Sequence, residues 1–169
     1  MELTYHLELK TDESPLGYYR RLSAANGLRN WKELASLAKA SPSRSGLLSR
    51  PEYIATAYNL PVELTMAITQ REESLKALRA LHRSQHDAVC PQCLDEEMYL
   101  RIGWEHSYVT ACPSHRSLLV ERCPSCDSFL SIYRERIDRC DCGQDLAPIP
   151  ATSASVVQLW LSGLLLKLP

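Results

Sequence analysis

The sequence contains a single phenylalanine and no apolar run long enough to cross a bilayer, which excludes a membrane-spanning helix of about 20 residues. The single Phe, and cysteines that all fall in one short stretch, argue against one large hydrophobic core, although a compact chain of 169 residues can bury roughly 70% of its unfolded surface. Two modest modules are expected instead, one of them dependent on metal. No basic stretch followed by an apolar one opens the chain, so no signal peptide is expected. The default compartment is then a reducing cytosol. There, clustered cysteines bind metal more often than they form disulfides. An odd count of seven cysteines also fits a disulfide framework poorly.

A strong excess of either charge is missing too. The formal net charge is −1 and hides a gradient. Residues 1–89 carry twelve Lys/Arg against ten Asp/Glu, and residues 90–147 carry six against ten. Metal-bound thiolates would make the second stretch more negative still. Nothing in this balance provides a strongly basic face for sequence-independent nucleic-acid binding. Catalytic signatures are absent as well. There is no Ser-His-Asp order, no phosphate-binding loop, no His-Glu pattern of a zinc hydrolase and no cysteine left unpaired by the motifs below. The deaminase pattern fails because Arg116 and Ser117, not a Glu, follow His115. A non-catalytic protein is expected.

What is present falls into three segments. Residues 1–84 read as a helix-turn-helix-like helical domain. Leu3, Tyr5, Leu7 and Leu9 alternate with polar residues as a short strand or arm. Ser14-Pro15 then starts a helix carrying Leu16, Tyr19, Leu22 and Ala25, and Gly27 ends it. Asn30 and Glu33 form a capping box for a helix that buries Trp31, Leu34, Ala35, Leu37 and Ala38. Residues 41–46 read as a loop, and Ser49-Arg50-Pro51-Glu52 as a second capping box before Ile54, Ala55 and Tyr58. Pro61 starts another short helix with Val62, Leu64 and Met66, and residues 69–84 form a polar, mostly helical connector. Residues 148–169 form a linker and an apolar helix around Trp160. This helix either packs back on the body or begins a C-terminal domain, in which case the natural chain continues beyond Pro169.

Residues 85–147 carry the densest motif. The pairs are Cys90-Pro-Gln-Cys93, Cys112-Pro-Ser-His115, Cys123-Pro-Ser-Cys126 and Cys140-Asp-Cys142. Zinc takes four ligands in a tetrahedron, and a two-residue gap lets one tight turn present two of them. Eight ligands for two structural zinc ions leave no open position for chemistry. The pairs can be joined sequentially, Cys90/Cys93 with Cys112/His115 and Cys123/Cys126 with Cys140/Cys142. They can also interleave, Cys90/Cys93 with Cys123/Cys126. The spacing leaves both open; loop-closure entropy favours the sequential order. The one-residue gap of Cys140-Asp-Cys142 is the least typical element. His106 is expected to be a surface or core histidine rather than a ligand. His82 and His86, at i, i+4 spacing, are expected to face solvent. Trp104, Tyr108, Phe129 and Tyr133 are expected to form a small core around the metals. The fold class that follows is mainly α with small zinc-ribbon modules: a helix-turn-helix-like bundle, then two zinc-binding modules.

Three stretches together resemble the TniQ family of transposition proteins, which includes the target selector TnsD. They are Asp12 to Gly27, the core from Cys90-Pro-Gln-Cys93 through Trp104 to Cys126, and Ala151 to Gly163. The resemblance implies an adaptor that links target-site recognition to the AAA+ regulator TnsC and so to the transposase. In CRISPR-associated transposons the recognition element is an RNA-guided effector such as Cascade with its guide RNA. It also implies possible contacts to target DNA and a possible homodimer. The alternative is a sequence-specific DNA-binding transcription factor of the zinc-ribbon or helix-turn-helix type.

Overall fold

Ser14 and Pro15 start the first helix as their chemistry requires. The Ser14 Oγ accepts a hydrogen bond from the Gly17 N–H (3.0 Å) and Pro15 occupies the first turn. Helix α1 (Pro15–Ala25) ends before Gly27, which has a positive φ of 72°. In the computed structural model, which describes residues 3–77, 81–83 and 85–167, α1 is followed by α2 (Trp31–Leu37), α3 (Arg44–Leu48), α4 (Pro51–Tyr58) and α5 (Val62–Ala77). Then come α6 (Pro91–Glu96), a 3₁₀ turn (Ile102–Glu105), strands β1 (Ala111–Cys112) and β2 (Ser117–Leu118), and α7 (Val156–Leu165). The chain is thus mostly helical, with one antiparallel two-stranded sheet in the register Ala111↔Leu118 and Cys112↔Ser117. No helix is long and apolar enough to cross a membrane among the described residues.

The first five helices close around one core that includes Leu16, Tyr19, Leu22, Trp31, Leu34, Ile54 and Ile68. Several local expectations need correction. Of the two alternatives for the N-terminal segment, strand or arm, residues 3–10 take the arm. Leu3 is buried, while Tyr5 is pinned through its backbone to the Asn26 side chain. Asn30 caps α2 as expected, but Glu33 reaches back to the Arg29 N–H rather than to that of Asn30. Leu37 is 47% exposed, because α2 turns only Trp31, Leu34 and Ala35 inward. Arg44 to Gly46, read as part of a loop, instead form α3 together with Leu47 and Leu48, capped by the Ser43 hydroxyl accepting from the Gly46 N–H. The second capping box does not form. The residue before α4 is Arg50, and Pro51 alone sets the first turn. The short helix and the connector as far as Ala77 are one element, α5, whose inward residues Ile68, Glu72 and Leu75 fall at helical spacing while Val62 and Met66 stay exposed. Residues 78–80 and 84 of the connector, and Leu168-Pro169, lie outside the described residues.

The cysteine-rich segment builds a second core from Val89, Leu94, Leu100, Trp104, Leu119, Leu130 and Leu146. Of the four aromatics expected there, only Trp104 is buried; Tyr108, Phe129 and Tyr133 are exposed. Aliphatic side chains fill the space around the sulfurs instead. Tyr133 stacks on Trp31 with ring centres 5.6 Å apart, and Phe129 lies against His86 at 4.5 Å. His82 and His86 do not face open solvent. His82 Nε2 lies 2.9 Å from Glu105 Oε2, and His86 Nε2 lies 3.6 Å from Glu121 Oε2. Helix α7 packs back on this segment. Its buried Ser162 Oγ accepts from the Thr110 and Ala111 N–H groups (3.3 and 3.1 Å).

Two joints tie the cores together. In the first, Asp87 accepts from Arg20 of α1 (2.6 Å) and from Arg134; both guanidiniums are buried and the carboxylate is largely so. Beside it, the Trp31 indole N–H donates to the Ile132 carbonyl (3.0 Å), and Ile132 itself belongs to the helical core. In the second, Arg44 of α3 donates to Glu105 at the end of the 3₁₀ turn (2.6 Å). Burial alone would raise the pKa of Asp87, but the Arg134 and Arg20 guanidiniums outweigh it and hold the carboxyl below the ordinary aspartate value. A depressed folded-state pKa contributes stability that is present above the unfolded value and lost as pH falls through the folded one. Asp87→Ala leaves two buried guanidiniums unpaired, and chemical denaturation is expected to show a loss of about 3–5 kcal/mol. Acid titration followed by tryptophan emission is expected to show a loss of stability below about pH 4 that this variant lacks.

Candidate metal centres

Each ligand pair is presented by a turn that the local sequence sets. Cys90-Pro-Gln-Cys93 opens α6, with Pro91 in the first turn. The other three pairs share a different device. The residue after the second ligand turns left-handed: Arg116 (φ 55°), Asp127 (φ 55°) and Gly143 (φ 93°). Glycine adopts that conformation without a steric cost. It lets the chain reverse after a single spacer, with the Gly143 N–H donating to the Cys140 carbonyl (2.9 Å). The atypical Cys140-Asp-Cys142 spacing is therefore matched by Gly143. The hairpin β1–β2 carries Cys112 on one strand and brings the chain back directly after His115.

These turns assemble two quartets, Cys90/Cys93/Cys112/His115 and Cys123/Cys126/Cys140/Cys142, in each of which the ligand atoms lie within 4.8 Å of one another. The sequential order is the one observed. In the first quartet, His115 Nδ1 lies 3.4, 3.3 and 3.6 Å from the sulfurs of Cys90, Cys93 and Cys112, and Cys93 and Cys112 are 3.6 Å apart. In the second, Cys123–Cys142 and Cys126–Cys140 are 3.6 and 3.8 Å apart. A tetrahedral ion with metal–sulfur bonds of about 2.3 Å and a metal–nitrogen bond of about 2.0 Å requires edges of about 3.8 and 3.5 Å. The distances fit such an ion and are far from the disulfide bond length of about 2.05 Å. All seven cysteines are free thiols. Both clusters can hold a metal ion.

The two quartets differ in surroundings. Cys90, Cys93 and Cys112 are buried, whereas Cys126 and Cys142 are exposed. Mutual hydrogen bonding within the first quartet drives the Cys90 thiol strongly down in pKa and that of Cys93 strongly up. So crowded a set holds one negative charge easily and further ones only with a cation among them. In the second quartet the Ser128 backbone N–H lowers Cys126 to about 6, and burial raises Cys140 to about 12.

The sequence did not single out the groups around the first quartet. His115 presents Nδ1 to the sulfurs, while its Nε2 lies 3.0 Å from Glu96 Oε1, and this hydrogen bond raises the pKa of the imidazole. A carboxylate on the far nitrogen fixes the ring's orientation and tautomer for a metal on the near one. Glu96 stands one helical turn after Cys93 on α6; no spacing rule marks it. Ser117 Oγ lies 3.7 Å from the Cys90 sulfur and donates to Gln92 Oε1 (3.2 Å). His106 is not part of either quartet. It is buried beside the second core, and its Nδ1 accepts from the Tyr108 N–H.

The TniQ family profile matches residues 4–119. The match spans the five-helix bundle and the first quartet; the second quartet and α7 lie beyond it. A comparison with curated proteins finds no match. Glu96→Gln is expected to weaken metal binding at the first quartet by about 10–100-fold in a chelator competition while leaving the second unchanged.

Proposed function

The chain belongs to the TniQ family, and from that premise we propose that this transposition-associated protein is a non-catalytic adaptor holding two structural zinc ions. The observation that carries the reading is the family match over the bundle and first quartet, joined to a donor set that closes both tetrahedra. With four protein ligands to each ion, neither metal keeps a position for water or substrate. The chemistry a bound zinc supplies here is cross-linking of loops. The loop between Cys126 and Cys140 contains Ile132 and Arg134, which lie against α1 and α2. Zinc at the second quartet would therefore hold a docking loop in shape.

The partners that fit are the AAA+ regulator TnsC on one side and a target-recognition element on the other, an RNA-guided effector such as Cascade being one form of it. The acidic balance of residues 90–147 favours protein contacts over a sequence-independent grip on DNA. Co-purification of the full chain with TnsC in the presence of ATP is expected, with loss of association when ATP is omitted. A zinc-loaded chain that shows no such association overturns the adaptor reading. Salt-resistant, sequence-specific duplex binding by the chain alone would support a transcription factor in its place.

Metal analysis is expected to give two zinc ions per chain, and one for Cys140→Ser. The same variant is expected to expose Trp31, read as a red shift of its emission. A variant that retains both ions removes Cys140 from the ligand set.

A further inference from the structure

A cavity of about 720 Å³ opens between α5, the 3₁₀ turn and the end of α7, a size that takes a small ligand or a few residues of a peptide. Part of its lining is apolar and buried: Leu75 of α5 and Trp104. Leu165 and Leu166 line it from α7, and Leu166 approaches so closely that a Cβ on Gly103 would lie 2.0 Å from it. The polar part is cationic. Arg71, Arg101 and Lys167 line it against one carboxylate, Asp12, which accepts from the Tyr99 hydroxyl (2.5 Å) and lies 3.9 Å from Arg101 Nε, while Arg71 donates to the Thr11 and Glu13 carbonyls.

His106 shows what the cavity lacks. It is only 7% exposed, and its Nδ1 accepts from the Tyr108 N–H at 3.2 Å. The neutral ring therefore carries its proton on Nε2. That nitrogen is buried with no hydrogen-bond partner among the described residues, as is Arg101 Nη1. Buried donors are nearly always satisfied in folded proteins, and those left over at a cavity wall ask for an acceptor from outside. Burial, Arg83 and His82 all lower the pKa of His106 and keep the ring neutral.

We propose that this cavity docks a peptide segment of a partner protein that presents a carboxylate beside an apolar side chain. The apolar chain lies against Leu75, Trp104 and Leu165, and the carboxylate accepts from His106 Nε2 and Arg101. The proposal rests on the adaptor reading for the presence of a protein partner. Nucleic acid fits less well, because the walls are largely apolar and the chain carries no strongly basic face to follow a phosphate backbone.

The test uses the full, zinc-loaded chain to select from a seven-residue peptide library displayed on phage. Enrichment of sequences pairing Asp or Glu with Leu, Ile or Phe is expected. A synthetic peptide of the enriched sequence is expected to lose affinity about tenfold or more with His106→Phe, which removes the donor, and with Ser74→Trp, which fills the cavity from α5. His106→Phe is expected to leave thermal stability unchanged or raised, since it also removes an unsatisfied buried donor; lost binding in a stable variant separates recognition from folding. No enrichment, enrichment of basic peptides, or binding unaffected by Ser74→Trp overturns the proposal. So does preferential binding of a single-stranded oligonucleotide that Ser74→Trp blocks. If no peptide is selected while the chain still associates with TnsC, the cavity proposal fails and the adaptor reading stands.

Discussion

Asp87 holds the molecule's two halves in one arrangement. Its carboxylate is shared by two buried guanidiniums from distant parts of the chain, Arg20 of α1 and Arg134 of the cysteine-rich segment. Buried charges persist only where each is met by its opposite. The pairing also fixes register. Arg20 reaches the carbonyls of Arg134 and Arg136, and the Asp87 N–H donates to Leu130. Neither core is large, and neither would present a complementary face if the segment from Ser131 to Ile137 lay elsewhere. The apolar contact of Ile132 with the helical core follows from this electrostatic joint.

The quartets and the joint form one mechanical system. The segment before the first quartet pairs with the segment leading to the second, Val89 and Val120 exchanging both backbone hydrogen bonds. The chain between the second quartet's two ligand pairs is itself the surface that meets α1 and α2. Extended residues after the second quartet run beside β2, where the Leu118 N–H donates to Thr152, and deliver α7 to Ser162's partners on β1. A few short backbone pairings and the Ser162 side chain thus tie together the cysteine-rich half, which has little regular sheet or helix of its own.

The features legible in the sequence were those with strong local chemistry. The caps at Ser14 and Asn30, the break at Gly27 and the four ligand pairs are each decided by neighbouring residues. The order of pairing was also recoverable, because short loops close at lower entropic cost. Features set by distant partners were not. Glu33 and Leu37 take positions determined by how α2 sits against α1. The length of α5 was hidden because its inward face includes Glu72, a charged residue lying 3.5 Å from Arg44. Tyr133 and Phe129 looked like core but serve as lids over Trp31 and beside Arg122, whose guanidinium lies 3.7 Å from the Phe129 ring. Glu96 acquires its role only when α6 and the β1–β2 hairpin meet.

Trp31 gives the joint a spectroscopic voice. Its indole is fully buried and hydrogen-bonded to a carbonyl from the opposite half, while Trp104 lies in the second core and Trp160 is 65% exposed on α7. Three chromophores therefore sit in three distinct environments: the seam, the cysteine-rich interior and the outer helix. Replacing any two with phenylalanine would leave a chain that reports on one region at a time. The separation of its halves, the melting of its sulfur-lined interior and the covering of its last helix by another molecule could then be followed as separate optical signals.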